Sequence, residues 1–448
     1  MTSNIIDIQS EARNRFIALY GTFESSLNGQ KKHPFHQMRK MAAQNLEKLS
    51  FPTLRDENWK YTSLSRLLQP KYHLPQVADE KLVNVPEFIA NNSECILVCV
   101  NGEFQPGLSK IENLEKGLTI LPTPKALEDE RFYPVFQDHF NAVSLHSHDI
   151  FSQLALAFSN GGIFIHVEIN TRIEKPLHLI NIYHTPEEAL FTSPVLFTYV
   201  SRGASLNMVE SHVGNPSANS QWESLHCCLN HLILKENASL GFFKIQELPE
   251  NQYMVHNGRA EQWRDSVFTA FTLDTGGRMI RNNLSVLHKG QNATSNLYGI
   301  NIGKGEQHTD NQTLIDHAIP HCQSNEWYKS ILNDSARGVF NGKVLVQKDA
   351  QKTNAFQQNN TILLSEKARM DSKPQLEIFA DDVRCSHGAT IGQLDEEAIF
   401  YLRSRGLSKD DARNMLQLAF LEEIAGFITQ NEVREFLLKR VRHQFKNQ

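Results

Sequence analysis

The sequence predicts a mainly β protein with flanking α-helical regions. From about residue 161 to 392, short β-rich runs follow one another, and no helical period interrupts them. Apolar residues recur at helical spacing near the N-terminus and again from residue 394 onward. We therefore expect a helical and mixed region at 1–160, a β core at 161–392 and a C-terminal helical domain at 393–448. A sandwich, a barrel and a solenoid would all accommodate the strands, and no strict repeat period selects one of them.

Composition and charge narrow the class of protein. The chain has 448 residues, of which 40% are hydrophobic, and a formal net charge of −5. This balance argues against a general nucleic-acid binder, which would carry a basic face. The N-terminus lacks the pattern of a signal peptide, and no apolar run approaches the ~20 residues of a membrane span. Six cysteines do not make a disulfide scaffold here, so we expect a cytoplasmic protein with reduced thiols and no nucleic-acid or membrane partner.

The N-terminal region is expected to begin with two helices. Apolar residues recur at roughly helical spacing up to Tyr20, and a second helix is predicted from about Pro34 to Leu49. In the segment that follows, Trp59 and Tyr61 are interpreted as core anchors rather than ligand contacts. The run CILVCV at 95–100 is typical of a short buried strand.

Turn signals divide the β core into short strands. Runs such as IFIHVEI, VLFTYVS, GFFKIQEL and KVLVQ are typical of strands, and several alternate between polar and apolar residues. The predicted turns between the runs contain glycine or asparagine: Arg202–Gly203, Glu236–Asn237, Thr275–Gly276–Gly277, Lys289–Gly290 and Asn341–Gly342.

The candidate site lies where the β core gives way to the C-terminal helices. Cys385 and His387 are two residues apart, so on an extended segment over Val383–Thr390 both would point to one face, about 6–7 Å apart. A thiolate and an imidazole on one face suit iron or a similar metal. A buried cysteine beside a hydrogen-bonded histidine at a strand end would give the same pattern, and this alternative stays open.

Capping signals define the helices that follow this site. Asp395 can cap a helix that ends at Gly406, and Ser408 with Asp411 can open the next helix as a capping box. Residues 394–448 are predicted to be helical and to present a wide apolar surface, which must pack on another part of the chain or on another protein. The partner could be the β core of the same chain or another subunit.

Several enzyme classes lack their motifs in this sequence. There is no G-x-x-x-x-G-K-[ST] for nucleotide hydrolysis, no Rossmann fingerprint, no H-E-x-x-H or CxxC for zinc, and no G-x-S-x-G. Iron–sulfur clusters usually need four ligands, and Cys385 with His387 supplies at most two. A cluster bound here would need further ligands, from elsewhere in the chain or from a second subunit.

Four stretches of the sequence resemble a known family. LEIFADDVRCSHGATIG at 376–392, FYLRSRGLS at 400–408, ENWKYT at 57–62 and, less sharply, FNGKVLVQKDAQKT at 340–353 are similar to the SufB/SufD family of the SUF iron–sulfur cluster assembly system. The resemblance spans most of the chain and is strongest from about 326 to 425. The word CSHGAT followed by FYLRSRG matches the SufD form, and the CxxC-type motif of the SufB form is absent.

The resemblance implies a fold, a role and partners. It implies a right-handed parallel β-helix and a non-catalytic scaffold subunit that pairs with a SufB-like paralogue. It assigns His387, and secondarily Cys385, to the interface where a nascent iron–sulfur cluster forms. Any metal bound by these two residues would be shared with the partner. The chain alone is expected to hold no cofactor stably. It also implies docking of a SufC-like ABC ATPase on the C-terminal helices, for which we name Tyr401, Arg403, Arg405 and Asp411. A homodimer is possible for the isolated chain.

A second hypothesis comes from another class of protein. Polysaccharide-active enzymes also use β-helices, and such an enzyme would need convergent carboxylates in a groove. Glu377, Asp381 and Asp382 form the nearest acidic group, although a solvated turn at a strand end would explain them equally well.

Overall fold

A computed structural model of the chain describes residues 2–27, 33–76, 83–86, 94–136, 148–184, 188–215 and 222–446. Within these residues, the helices are α1 (Thr2–Ser26), α2 (Pro34–Lys48), α3 (Thr123–Leu127), α4 (Ile150–Phe158), α5 (Glu396–Ser404), α6 (Lys409–Ala425) and α7 (Asn431–Lys446). Short 3-10 turns lie at Glu57–Trp59, Pro106–Leu108 and Glu130–Phe132. No helix in these ranges is long and apolar enough to cross a membrane.

Most of the chain between the helical regions is β-strand. The first strands are β1 (Cys95–Val100), β2 (Glu103–Phe104), β3 (Leu118–Pro122), β4 (Ile163–Val167), β5 (Leu177–Tyr183), β6 (Leu190–Thr192) and β7 (Val195–Val200). The middle strands are β8 (Ser205–Gly214), β9 (Ser224–Leu234), β10 (Ser239–Glu247), β11 (Gln252–Gln262), β12 (Val267–Thr275), β13 (Met279–His288) and β14 (Thr294–Gly303). The last strands are β15 (His308–His317), β16 (Gln323–Leu332), β17 (Arg337–Val346), β18 (Asn354–Leu363), β19 (Arg369–Ser372), β20 (Gln375–Ile378) and β21 (Arg384–Gly392).

The strands wind into a parallel β-solenoid of about 8 turns. Successive strands alternate between two sheets, a ten-stranded sheet that ends at β21 and an eleven-stranded sheet that contains β9, β11, β13, β15 and β17. Equivalent positions recur after one coil, as for Asn282 and Asn311, which are 29 residues apart and paired in register. The predicted parallel β-helix is confirmed, and the sandwich and barrel options are excluded.

The flanking helices cover the outer faces of the two sheets. Helices α1, α2 and α4 pack on outward residues of the eleven-stranded sheet, including Phe164, Phe197 and Leu225. Helices α6 and α7 pack on the ten-stranded sheet through buried side chains such as Leu421 and Ile424. The apolar surface of the C-terminal helices is thus largely covered by the chain's own β core.

Trp59 is a core residue, as predicted. Its side chain is 8% exposed, and its ring stacks on Phe151 with centroids 5.3 Å apart. The Arg281 guanidinium lies 3.7 Å from the Trp59 ring centroid, so the ENWKYT segment is fixed against the coil by a cation–π contact.

One predicted turn is wrong. Asn341 and Gly342 lie inside strand β17 and not between strands. A Cβ on Gly342 would clash with the side chain of Gln357, so the glycine is required by close packing inside the coil. The other predicted turns hold: Gly203, Gly276 and Gly277 have positive φ, as has Asn237 at 56°.

The two ends of the coil differ. At the first end, β2 and β3 pair antiparallel with β1 and β4. At the last end, β21 pairs with β18 on one side, and no strand in the described part of the chain pairs with its other side. The final coil therefore ends in an open strand edge.

Candidate functional site

Cys385 and His387 lie on this last strand, and both face the interior of the coil. Strand β21 pairs in register with β18, so Cys385 lies opposite Ala355 and His387 lies opposite Gln357. Ala355 and Gln357 are both buried and point into the coil. Since paired residues of a parallel ladder share a face, Cys385 and His387 line the open end of the interior.

The two side chains have different environments. Cys385 is half-buried and packs against a small apolar cluster that includes Val344, Val346 and Ala355. Burial raises the pKa of the Cys385 thiol above its ordinary value, so the sulfur keeps its proton at neutral pH. His387 is exposed to solvent.

The pair does not form a complete metal site within this chain. Within the described residues, no third histidine, cysteine or carboxylate joins Cys385 and His387 in a compact ligand group. The arrangement offers one nitrogen and one sulfur at the coil end, and remaining ligands of a cluster would have to come from outside these residues.

The open end also exposes apolar side chains. Ile391 on β21 is 49% exposed, and Phe379, which follows β20, is 62% exposed. Phe356 lies on β18 opposite Ser386 and is also exposed. Exposed apolar side chains beside an unpaired strand edge are typical of a protein–protein contact surface.

The caps of the C-terminal helices are those that the sequence predicts. The Asp395 carboxylate accepts a hydrogen bond from the backbone N–H of Glu397 at the start of α5, and Gly406 follows the helix with φ 99°. At the start of α6, the Ser408 hydroxyl oxygen accepts from the backbone N–H of Asp411. These contacts define where α5 and α6 begin, and they set the short connections from β21 to α5 and from α5 to α6.

The residues named for ATPase docking lie on an exposed surface of α5 and α6. Tyr401 is 56% exposed, and the neighbouring Phe400 is 73% exposed. The Arg405 guanidinium lies 5.3 Å from the Tyr401 ring centroid, and Arg403 is exposed. The Asp411 carboxylate accepts a hydrogen bond of 2.6 Å from the Ser408 hydroxyl, so part of its role is local capping.

The acidic residues near the site form surface ion pairs. Glu377 lies 2.7 Å from the Lys343 ammonium, and Asp382 pairs with Lys352. The side chains in these two pairs are exposed or half-exposed, as expected for carboxylates on a solvated surface, and Asp381 is exposed as well.

Sequence reasoning missed a group of polar residues buried inside the coil. Glu210 and His212 on β8 and His256 on β11 converge there. Burial opposes the charge on Glu210, but His212 and His256 together lower its pKa well below its ordinary value. Burial lowers the pKa of His256. Glu210 and His212 are two residues apart, as are Cys385 and His387. This spacing is the feature of the sequence that could have indicated the buried group.

Two protein-family patterns match this chain. The SUF system FeS cluster assembly, SufBD core domain matches residues 162–420. The chain belongs to the SufBD family. The SufBD protein N-terminal region matches residues 10–179, so the two patterns together cover the N-terminal helices and the coil. The function of this SufBD family member therefore lies in iron–sulfur cluster assembly by the SUF system.

Individual relatives align over most of the SufBD chain. An iron–sulfur cluster assembly SufBD family protein of Synechocystis is 32% identical over 86% of this chain and 86% of its own length. The iron–sulfur cluster assembly protein SufD of Escherichia coli is 30% identical over 92% of this chain and 93% of its own. SufD of Bacillus subtilis is 25% identical over 91% and 93%. The resemblance to SufD that the sequence words indicate is confirmed.

Proposed function

We propose that this SufBD family member is a non-catalytic scaffold subunit on which a nascent iron–sulfur cluster forms. In this proposal, the open end of the coil pairs with a SufB-like paralogue, and His387, with Cys385, contributes to the cluster surface. The observation that carries the proposal is the position of these two residues on strand β21, which pairs with β18 on one side and has an unpaired edge on the other within the described residues.

The open edge supports pairing with a second β-helix. An unpaired strand offers a row of backbone N–H and C=O groups, which another strand can satisfy. Apolar side chains such as Ile391 and Phe379 flank the edge and would be buried by such a partner. A paralogue with the same core domain would present a similar strand, and the two coils would join end to end.

The small number of ligands supports a transient cluster. One exposed imidazole and one half-buried thiol bind a cluster weakly by themselves, because stable clusters use four protein ligands. A site completed by a second subunit would release its cluster when the two surfaces separate. This behaviour suits a scaffold better than a permanent carrier.

The C-terminal helices support coupling to an ATPase. Helix α5 follows β21 after only three residues, and it exposes Phe400 and Tyr401. A SufC-like ATPase bound at Tyr401, Arg403, Arg405 and Asp411 would therefore act on an element directly connected to the strand that carries His387. Movement of the ATPase subunits could then open or close the cluster surface.

The test is reconstitution of the complex with SufB-like and SufC-like partners. The His387→Ala variant is expected to assemble the complex but to form less cluster, because one candidate ligand is lost from an exposed position. Iron and acid-labile sulfide per complex, together with the visible absorption of the cluster, are the measurements. Cys385→Ser is expected to weaken cluster formation less than His387→Ala.

The control is His148→Ala, which changes an exposed histidine just before α4, in the N-terminal region and not on the last coil. It is expected to leave the cluster yield unchanged. A normal cluster yield from the His387→Ala complex would contradict the assignment of this residue, and failure of the wild-type chain to bind either partner would contradict the scaffold function.

A further inference from the structure

Three potential metal ligands converge in the middle of the coil. Glu210 and His212 project from β8 of the ten-stranded sheet, and His256 projects from β11 of the eleven-stranded sheet. All three side chains are buried, and their ligand atoms lie within 4.8 Å of one another. We propose that Glu210, His212 and His256 form a binding site for one divalent transition-metal ion. This site is separate from the proposed cluster surface and does not depend on the scaffold function.

The distances between the ligand atoms suit a bound ion. Neighbouring ligands about 2.0–2.2 Å from one metal ion are separated from each other by about 2.8–3.1 Å in octahedral geometry and by about 3.3–3.6 Å in tetrahedral geometry. In the empty site, His256 Nε2 lies 3.2 Å from Glu210 Oε2, and His212 Nε2 lies 3.5 Å from Glu210 Oε1. Only small movements of the side chains would place all three around one ion.

The hydrogen bonds at the site are incomplete without an ion. His212 Nε2 is buried and has no hydrogen-bond partner, since its contact with Glu210 is too long or poorly aligned. His256 Nε2 lies 3.2 Å from Glu210 Oε2 and 3.2 Å from the Asn230 amide nitrogen, and that amide also donates to Glu210 Oε2. The orphaned ring nitrogen at this site is therefore His212 Nε2. A metal ion would use the lone pairs of both histidines.

Neighbouring side chains hold the ligands in position. His212 Nδ1 lies 2.8 Å from the Tyr183 hydroxyl, which leaves Nε2 directed at the site. The amide of Asn230 donates to Glu210 Oε2 at 2.7 Å, and the amide of Asn181 lies 3.3 Å from Glu210 Oε1. Such hydrogen bonds from the surrounding residues are typical of metal sites, because they fix the ring orientation and the carboxylate.

The charges around the site favour a cation. Lys244 is the neighbour of Glu210 on the next strand, but its ammonium bonds to Asp274 at 3.2 Å. The charge of Glu210 is therefore left for an imidazolium or a metal ion to balance. Two imidazoles and one carboxylate form a donor set that suits ions such as Fe²⁺ or Zn²⁺.

The experiment uses Co²⁺ as the probe. The full chain without a histidine tag is produced in cells supplied with Co²⁺, and bound cobalt is measured by mass spectrometry and by its visible absorption. We expect about one Co²⁺ per wild-type chain, and a loss of about tenfold or more in affinity for Glu210→Gln and for His256→Gln. Tyr183→Phe is expected to weaken binding less, because it removes a hydrogen bond and not a ligand.

The controls separate this site from other histidines. His178→Gln changes a buried histidine on β5 that bonds to Ser211 and contacts Phe436, and it should keep its cobalt. A chain with both Cys385→Ser and His387→Ala should also keep it. Circular dichroism checks that each variant is folded, and if Glu210→Gln does not fold, His256→Gln decides.

Three results would overturn the proposal. One is a wild-type chain that carries no cobalt. Another is unchanged cobalt in the folded ligand variants. The third is a cobalt spectrum that requires sulfur ligands, which would place the ion at a cysteine; this result can be obtained on the wild-type chain alone.

Discussion

At the scale of single residues, the interior of the coil is unusual because much of it is polar. Glu210, Lys244, Asp274, Asn282 and Glu326 are buried there. Most of them bond to one another, as in the amide of Asn282, which donates to Asp274 at 2.8 Å. Such networks fix the register of the coils, because an unpaired buried polar group is costly.

Glu326 gives a pH-dependent prediction. Burial raises the pKa of this carboxyl to about 7, against an unfolded value near 4.3. Between these pH values the folded chain holds a proton that the unfolded chain lacks, so Glu326 makes stability fall as pH rises. Wild type should therefore lose about 2–3 kcal/mol of free energy of unfolding through Glu326 between pH 5 and pH 8, and the Glu326→Gln variant should lack this loss.

Urea unfolding of both chains at the two pH values measures this difference. Glu130→Gln changes an exposed glutamate and is the matched control, for which we expect the same pH dependence as wild type. Parallel pH profiles for wild type and Glu326→Gln would show that Glu326 does not stay protonated in the folded chain.

Cys385 and His387 show what single residues in the sequence can and cannot indicate. Their spacing predicts a shared face on a strand, and the pairing with Ala355 and Gln357 agrees with this. Their exposure could not be predicted, because it depends on where the coil ends. The same spacing occurs at His226 and Cys228, which are both fully buried.

At the scale of secondary-structure elements, α5 and α6 differ in their surroundings, because α6 packs on the ten-stranded sheet and α5 exposes aromatic side chains. Ile424 on α6 is fully buried against the ten-stranded sheet, whereas Tyr401 on α5 is exposed. The caps at Asp395 and Ser408 fix the turn between the two helices relative to β21. Stability and docking should therefore respond to different residues of the same region.

We predict opposite phenotypes for these two positions. Ile424→Ala should lower the free energy of unfolding by about 2–5 kcal/mol, because it leaves a cavity under α6. Tyr401→Ala should change stability by less than ~0.5 kcal/mol but weaken binding of the SufC-like ATPase by about tenfold or more. Chemical denaturation and calorimetric titration measure the two quantities.

Tyr133→Ala is the control for docking, since Tyr133 is 59% exposed and belongs to the N-terminal region. It should leave ATPase binding unchanged. If Tyr401→Ala binds the ATPase as well as Tyr133→Ala does, the docking surface lies elsewhere.

The strands that the sequence did not predict were missed for one common reason. Strands such as β15 (HTDNQTLIDH) and β18 (NAFQQNNTIL) bury polar side chains, including Asp310 and Asn359. The period-2 pattern of a strand is visible only when the buried residues are apolar. Helices α5 and α6 were predictable because their caps are local.

At the scale of the whole molecule, the two ends of the coil differ: antiparallel strands β2 and β3 lie at the first end, and parallel strand β21 lies at the last. Helices cover the outer faces of both sheets. Beside the candidate site, the edge of β21 is left without a pairing strand among the described residues. An open edge of this kind invites pairing with another chain.

Pairing through this edge can be tested with a charge. Ile391→Lys should weaken association with the SufB-like partner by about tenfold or more, because a lysine at a strand edge opposes strand addition. The stability of the isolated chain should not change, since Ile391 is half-exposed. Light scattering and calorimetric titration measure association, including any self-association of the isolated chain.

Ile169→Lys places the same charge on an exposed isoleucine in the turn after β4, distant in the chain from β21. This control should associate normally. Equal affinity of the two variants for the partner would exclude β21 as the pairing edge.

The sequence by itself determined the features that depend on neighbouring residues. These are the caps at Asp395 and Ser408, most glycine turns, the helical periods of the termini and the words that indicate the SufBD family. Tertiary structure decided the coil, the buried polar interior and the open end, because these depend on residues from different strands, such as Asn282 and Asn311, which are 29 positions apart, and Lys244 and Asn282, which are 38 apart. Asn341–Gly342 and the group of Glu210, His212 and His256 acquire their roles only when strands from successive coils and facing sheets meet.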